Sequence, residues 1–133
     1  MKRQRVVAAV IEREGQVLIG QRAPGKRHGG LWEFPGGKLE PGESHHQAVE
    51  RELAEELGVR VVSTGAPHFS IADPGSAFVI DFVVTAIEGI PEAREHQTLA
   101  WVLPSELLSY DLAACDRAYA LFRSDSQPIP NAH

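Results

Sequence analysis

Apolar and polar positions fall into short blocks along the chain. Val6–Ile11 and Gln16–Ile19 are apolar runs that flank Glu14-Gly15, which predicts two strands joined as a hairpin. Arg22–Gly30 (RAPGKRHGG) has turn formers at both ends and predicts an exposed loop. Leu31–Phe34 reads as a short strand stopped by Pro35-Gly36-Gly37, and Pro41-Gly42 marks a second turn. The period then changes. Val49, Leu53 and Leu57 recur every fourth residue, the buried stripe of a helix. Ser44 is a good N-cap, Gln47 completes a capping box, and Gly58 stands where a left-handed residue ends a helix.

Beyond that helix, Val59–Ser63, Ala77–Ile87 and Thr98–Val102 are strand-like, the second long and rich in Val, Ile and Phe. Pro104–Leu108 opens a short helix. Leu112–Arg123 predicts a terminal helix with Leu112, Cys115, Tyr119 and Phe122 at packing distance. This order of elements predicts an α/β (α+β) architecture, a mixed sheet with helices on its faces. Residues 1–123 read as one domain, and 124–133, with two prolines, as a loose tail.

Charge adds the chemistry. Glu40, Glu43, Glu50, Glu52, Glu55 and Glu56 crowd around the central helix, and Glu52, Glu55 and Glu56 at i, i+3 and i+4 leave one face beside the buried stripe. Like charges at that spacing cost an isolated helix about 0.2–0.5 kcal/mol per pair. The plain explanation is a solvated face; the sharper one is a cation shared with substrate phosphates, because Mg²⁺ prefers oxygen ligands. A net charge of −5 over 133 residues argues against a nucleic-acid duplex as partner. The basic start, Lys2-Arg3-Arg5, is too short to reverse that. The lone Cys115 excludes a disulfide framework and reads as a packing residue. No stretch reaches membrane-spanning length, so the expected location is the cytoplasm.

The spacing carries a resemblance. Gly37, Glu43, Arg51-Glu52-Leu53, Glu55-Glu56 and Gly58-Val59 match the Nudix box at all nine defining positions. WEFPGGK at Trp32–Lys38 and EHQTLAWV at Glu95–Val102 also resemble small Nudix hydrolases of the MutT type, and the likeness runs from about Val6 to Arg123. It implies an α/β/α sandwich and hydrolysis of a nucleoside diphosphate linked to a further moiety. By similarity Glu52, Glu55 and Glu56, the Gly36 carbonyl and Glu95 are metal ligands for Mg²⁺, with Mn²⁺ as a substitute. Glu52 or Glu95 is the general base. Gly37, Glu43, Arg51 and Gly58 fix the geometry of the box.

The expected substrate is a nucleoside triphosphate, cleaved to monophosphate and pyrophosphate by a monomer or homodimer. Arg22 and Lys38 are candidate phosphate contacts, and Trp32 and Phe34 candidates for the base pocket. Adjacent His45-His46 imitate a metal pair but point about 100° apart on a helix, so they read as surface residues. Asp116 is the discriminator. In MutT, which removes 8-oxo-dGTP, the matching place carries an asparagine, although other 8-oxo-dGTP readers of the family use aspartates; an ionised aspartate only accepts hydrogen bonds, which suits N4 of cytosine. AREHQTLAW and SYDLAACD also resemble the CTP and 5-methyl-dCTP hydrolases of the family. ADP-ribose, dinucleoside polyphosphates, or nucleotide sensing without cleavage are the alternatives.

Overall fold

The structure, a computed structural model, describes residues 3–124. The expected tail lies outside them apart from Ser124. Strand β1 (Gln4–Arg13) turns at Glu14-Gly15 into β2 (Gln16–Gln21), as the pattern predicts. Then come β3 (Trp32–Glu33), β4 (Gly36–Lys38), helix α1 (His45–Leu57), β5 (Arg60–Ala72), β6 (Phe78–Glu88), β7 (Thr98–Val102), a 3₁₀-helix (Pro104–Ser109) and α2 (Ala114–Ser124).

The sheet runs β3-β2-β1-β6-β5, with β4 on β1 and β7 on β2. β1 lies parallel to β6 and antiparallel to its other partners, so the sheet is mixed. Its apolar run is buried on both faces, the mark of a central strand. Val7, Ala9 and Ile11 pack with Val49, Leu53 and Leu57 of α1. Ala8 and Val10 face the other way, into a core of Phe34, Phe82 and Tyr119 under α2. Period-2 alternation along one strand thus divides two cores.

Three expectations need correction. Gly36–Lys38, read as a turn, pairs with Val6–Ala8 as β4, because backbone pairing needs no side chains. The strand expected over Val59–Ser63 extends to Ala72, its register broken between Val61 and Phe69, which hides the period-2 signal. The last helix starts at Ala114 rather than Leu112, because Leu112 bridges to Trp32 and the Ala113 N–H donates to the Trp32 carbonyl. Among the described residues no helix is long and apolar enough to cross a membrane.

Candidate active site

The box is built locally. The Ser44 hydroxyl accepts from the Gln47 N–H (3.1 Å), the Gln47 side chain accepts from the Ser44 N–H (2.9 Å), and Gly58 closes α1 in the left-handed region (φ 68°). Arg51 staples the preceding loop to the helix. It donates to both Glu43 oxygens (2.8 and 2.9 Å), to the Lys38 carbonyl (3.0 Å) and to Glu52 Oε1 (2.6 Å). That grip holds the Glu43 carboxyl down at about 2. Gly37 lets β4 lie against the helix, since a methyl there would overlap the Glu52 carboxylate.

Glu52, Glu56, Glu95 and Gly36 line one pocket of about 210 Å³ with Arg22, Lys26, Glu33 and His96. Glu95 reaches it because its loop is tied at both ends. The Glu92 and Arg94 N–H groups donate to the last α1 carbonyls, Leu57 and Glu56, and Gln97 N–H donates to the Gln21 carbonyl. Glu55 does not join them. It is exposed, standing about 100° round the helix from Glu56, so the expected three-carboxylate convergence is not formed. Among the described residues no three acidic, histidine or cysteine side chains already meet at ligating distance.

The lining nonetheless fits a hard divalent cation, since Glu33, Glu52, Glu56 and Glu95 bring four carboxylates to one cavity beside Gly36. Burial, followed by a hydrogen bond and charge repulsion from Glu52, pushes the Glu56 carboxyl up to about 9. A cation would relieve the same crowding of negative charge.

Glu33 and His96 escaped the sequence reading. Burial opposes ionisation of Glu33, but hydrogen bonds from His96 (3.0 Å) and Arg22 (2.9 Å) outweigh it and hold its carboxyl below the ordinary range. The His96 ring is buried against β2, where a Cβ at Gly20 would come within 2.6 Å of it. A glycine inside an apolar strand was the available signal.

Arg22, Glu33 and Gly36 also line a second, larger pocket of about 470 Å³. Its wall is mostly apolar, with Leu31, Phe34, Phe78 and Ile80, and Asp116 stands in it. Asp116 Oδ1 accepts from the Phe34 N–H (2.9 Å). Burial, opposed by that hydrogen bond, lifts its carboxyl to about 7. Lys38 lines the pocket over the Phe78 ring (4.9 Å). Trp32 does not line it; its ring packs edge-on against Tyr110 (5.2 Å). His45 and His46 point apart as expected but are half-buried, bonded to Asp81 (2.9 Å) and Thr64 (3.0 Å).

The comparisons agree with this architecture. The NUDIX domain model matches residues 1–121. The chain is 44% identical to the CTP pyrophosphohydrolase of Escherichia coli K12 over 118 residues, 87% of each protein. It is 38% identical over 122 residues to a Mycobacterium tuberculosis protein provisionally named 8-oxo-dGTP diphosphatase 2, covering 90% of this chain and 86% of that one. A MutT structure, from work on the Aliivibrio salmonicida and Vibrio cholerae enzymes, superposes with a TM-score of 0.75 at 33% identity over 92% of this chain and 99% of that one. Hydrolases of this kind generally act with divalent metal ions. A complete box on a capped helix, set in this mixed sheet, makes the chain a member of the Nudix family, and an enzyme of the hydrolase class.

Proposed function

We propose that the protein hydrolyses a nucleoside triphosphate to the monophosphate and pyrophosphate, with cytidine nucleotides preferred. One observation carries the reading. An acidic pocket and an apolar pocket share a wall made by Arg22, Glu33 and Gly36, a shape that takes phosphates on one side and a base on the other.

Glu52, Glu56, Glu95 and the Gly36 carbonyl would hold Mg²⁺, or Mn²⁺ in its place, with Glu55 as an outer ligand. Such an ion, when bound, neutralises phosphate charge and acidifies water. The chain's own groups do the rest. Arg22 spends its Nε–H on Glu33 and one Nη1–H on the Arg27 carbonyl, leaving guanidinium donors for a phosphate oxygen. Arg51 fixes Glu52, whereas Glu95 has no hydrogen-bond or ion-pair partner among the described residues. Glu95 is thus the carboxylate free to take the proton of the attacking water, and Glu52 the anchored one. Oxygen–phosphorus bond formation expels pyrophosphate as the bond between the α- and β-phosphoryl groups breaks.

The base falls to Asp116. With its carboxyl at about 7, both forms are populated at neutral pH. The ionised form accepts from an exocyclic amine, and the protonated form both accepts from the amine and donates to a ring nitrogen, which matches the N4–N3 edge of cytosine. The likeness to a CTP pyrophosphohydrolase supports the same choice. A second reading, 8-oxo-dGTP, draws on the donating form and on the mycobacterial relative. The decisive experiment measures pyrophosphate release with Mg²⁺ over CTP, dCTP, 5-methyl-dCTP, 8-oxo-dGTP and the ordinary triphosphates. Cytidine nucleotides are expected to give the highest kcat/KM. A far higher value for 8-oxo-dGTP overturns the cytosine assignment, and failure to release pyrophosphate overturns the reaction. Removal of damaged or unwanted triphosphates in the cytoplasm is the cellular role that follows.

A further inference from the structure

The apolar pocket carries a second carboxylate that the reading above does not use. Asp73 begins the turn between β5 and β6, where its N–H donates to the Phe78 carbonyl (2.9 Å) and its carbonyl accepts from the Ser76 N–H (3.3 Å). Its side chain lines the same cavity as Asp116. Each oxygen is already oriented. Oδ2 accepts from the Ser76 hydroxyl (2.7 Å), and Oδ1 accepts from the Cys115 thiol (3.5 Å), the neighbour of Asp116 at the start of α2. The thiol stays protonated, because burial, then the hydrogen bond and charge of Asp73, push it up to about 12. Cys115 is therefore a donor that fixes Asp73, and each carboxylate oxygen keeps a lone pair for a further partner.

Resting on the nucleotide reading, we infer that Asp73 is a specificity-determining residue, a second acceptor that reads an exocyclic amino group of the base alongside Asp116. An amino group has two hydrogens and a carbonyl none. A pocket with carboxylates on two separate elements, the β5–β6 turn and the first turn of α2, offers one acceptor to each hydrogen. A base with a carbonyl at that place would set its oxygen against the Asp73 carboxylate, and against Asp116 when that group is ionised, a mismatch of acceptors that selects against it.

The test compares kcat/KM within pairs that differ in the amine, CTP against UTP and GTP against ITP, for wild type, Asp73→Asn and Asp73→Ala. Asparagine suits the same turn, so Asp73→Asn is expected to keep the wild-type melting temperature. It is expected to lower the amine preference of the favoured pair by about five- to tenfold, the worth of one hydrogen bond. Wild-type ratios in both variants, or a wild type with no amine preference in either pair, overturns the inference. The outcomes stay separable from the base assignment. A wild type that prefers 8-oxo-dGTP removes cytosine, yet the GTP-to-ITP ratio still decides Asp73. Loss of the CTP preference in Asp116→Asn but not in Asp73→Asn leaves cytosine standing and removes Asp73.

Discussion

The Nudix box and the apolar pocket are built in opposite ways. Gly37–Val59 is one contiguous segment whose cap, staple and stop all come from its own residues. The apolar pocket is assembled from segments far apart in the chain, Leu31–Phe34, the Asp73–Phe78 turn and Ala113–Asp116 among them, together with Val6–Ala8 and Gly36–Lys38. The first is a local solution that can be carried intact among proteins of different specificity. The second exists only when the sheet has formed, and on the proposed reading a change in any of its segments can alter which base fits. On the proposed reading, chemistry and choice of substrate thus rest on two differently built regions that meet at Arg22, Glu33 and Gly36.

That contrast can be broken at several points. The largest expected effect is at the box: Glu52→Gln, which removes the anchored carboxylate that would hold the ion, should fold with a wild-type melting curve and lose most of its kcat. Near wild-type turnover in the folded variant would show that the box does not carry the chemistry. Next is the shared scaffold. Leu53, fully buried between α1 and the sheet, should cost about 2–5 kcal/mol when cut to alanine, measured by urea unfolding. An unchanged urea midpoint would show that this packing does not hold α1 to the sheet.

Asp116→Asn sharpens the other side. The folded carboxyl titrates at about 7 against an ordinary 3.8, so ionisation is disfavoured in the folded state. Stability from this group is full below pH 3.8, falls as pH rises, and is gone above 7. The neutral asparagine should flatten that slope and raise stability at pH 8 by an amount of the order of 1–4 kcal/mol, while shifting base preference. Unfolding curves from pH 4 to 8 decide it; parallel slopes in the two proteins would refute the buried titration. The smallest effect belongs to the cap. Ser44→Ala should cost about 1 kcal/mol of stability and leave base preference untouched.

The same contrast explains what could be read from the sequence. The box, its helix and both helix ends were legible because each signal lies within one turn of its partner, as with Ser44 and Gln47 or Arg51 and Glu52. The inner strands were legible because apolar runs survive burial on both faces. Glu33 and His96 were not, because an ion pair 63 residues apart leaves no local spacing. Trp32 was misread for a related reason: an aromatic in a short strand signals packing, and only the fold reveals that Tyr110 is its partner. Glu55 was grouped with Glu52 and Glu56 by spacing and by the family resemblance, and its side chain is exposed.

The bare backbone at Gly20 has a consequence for natural variation. The residues before it in β2, Val17, Leu18 and Ile19, can exchange one aliphatic group for another at modest cost, since cores tolerate volume-conserving swaps. Position 20 has no such latitude, because any added carbon would drive the imidazole off the Glu33 carboxylate and loosen the partition that both cavities share. A saturation library across this strand should therefore show a single intolerant column amid permissive neighbours, and drift among related proteins should be frozen there first.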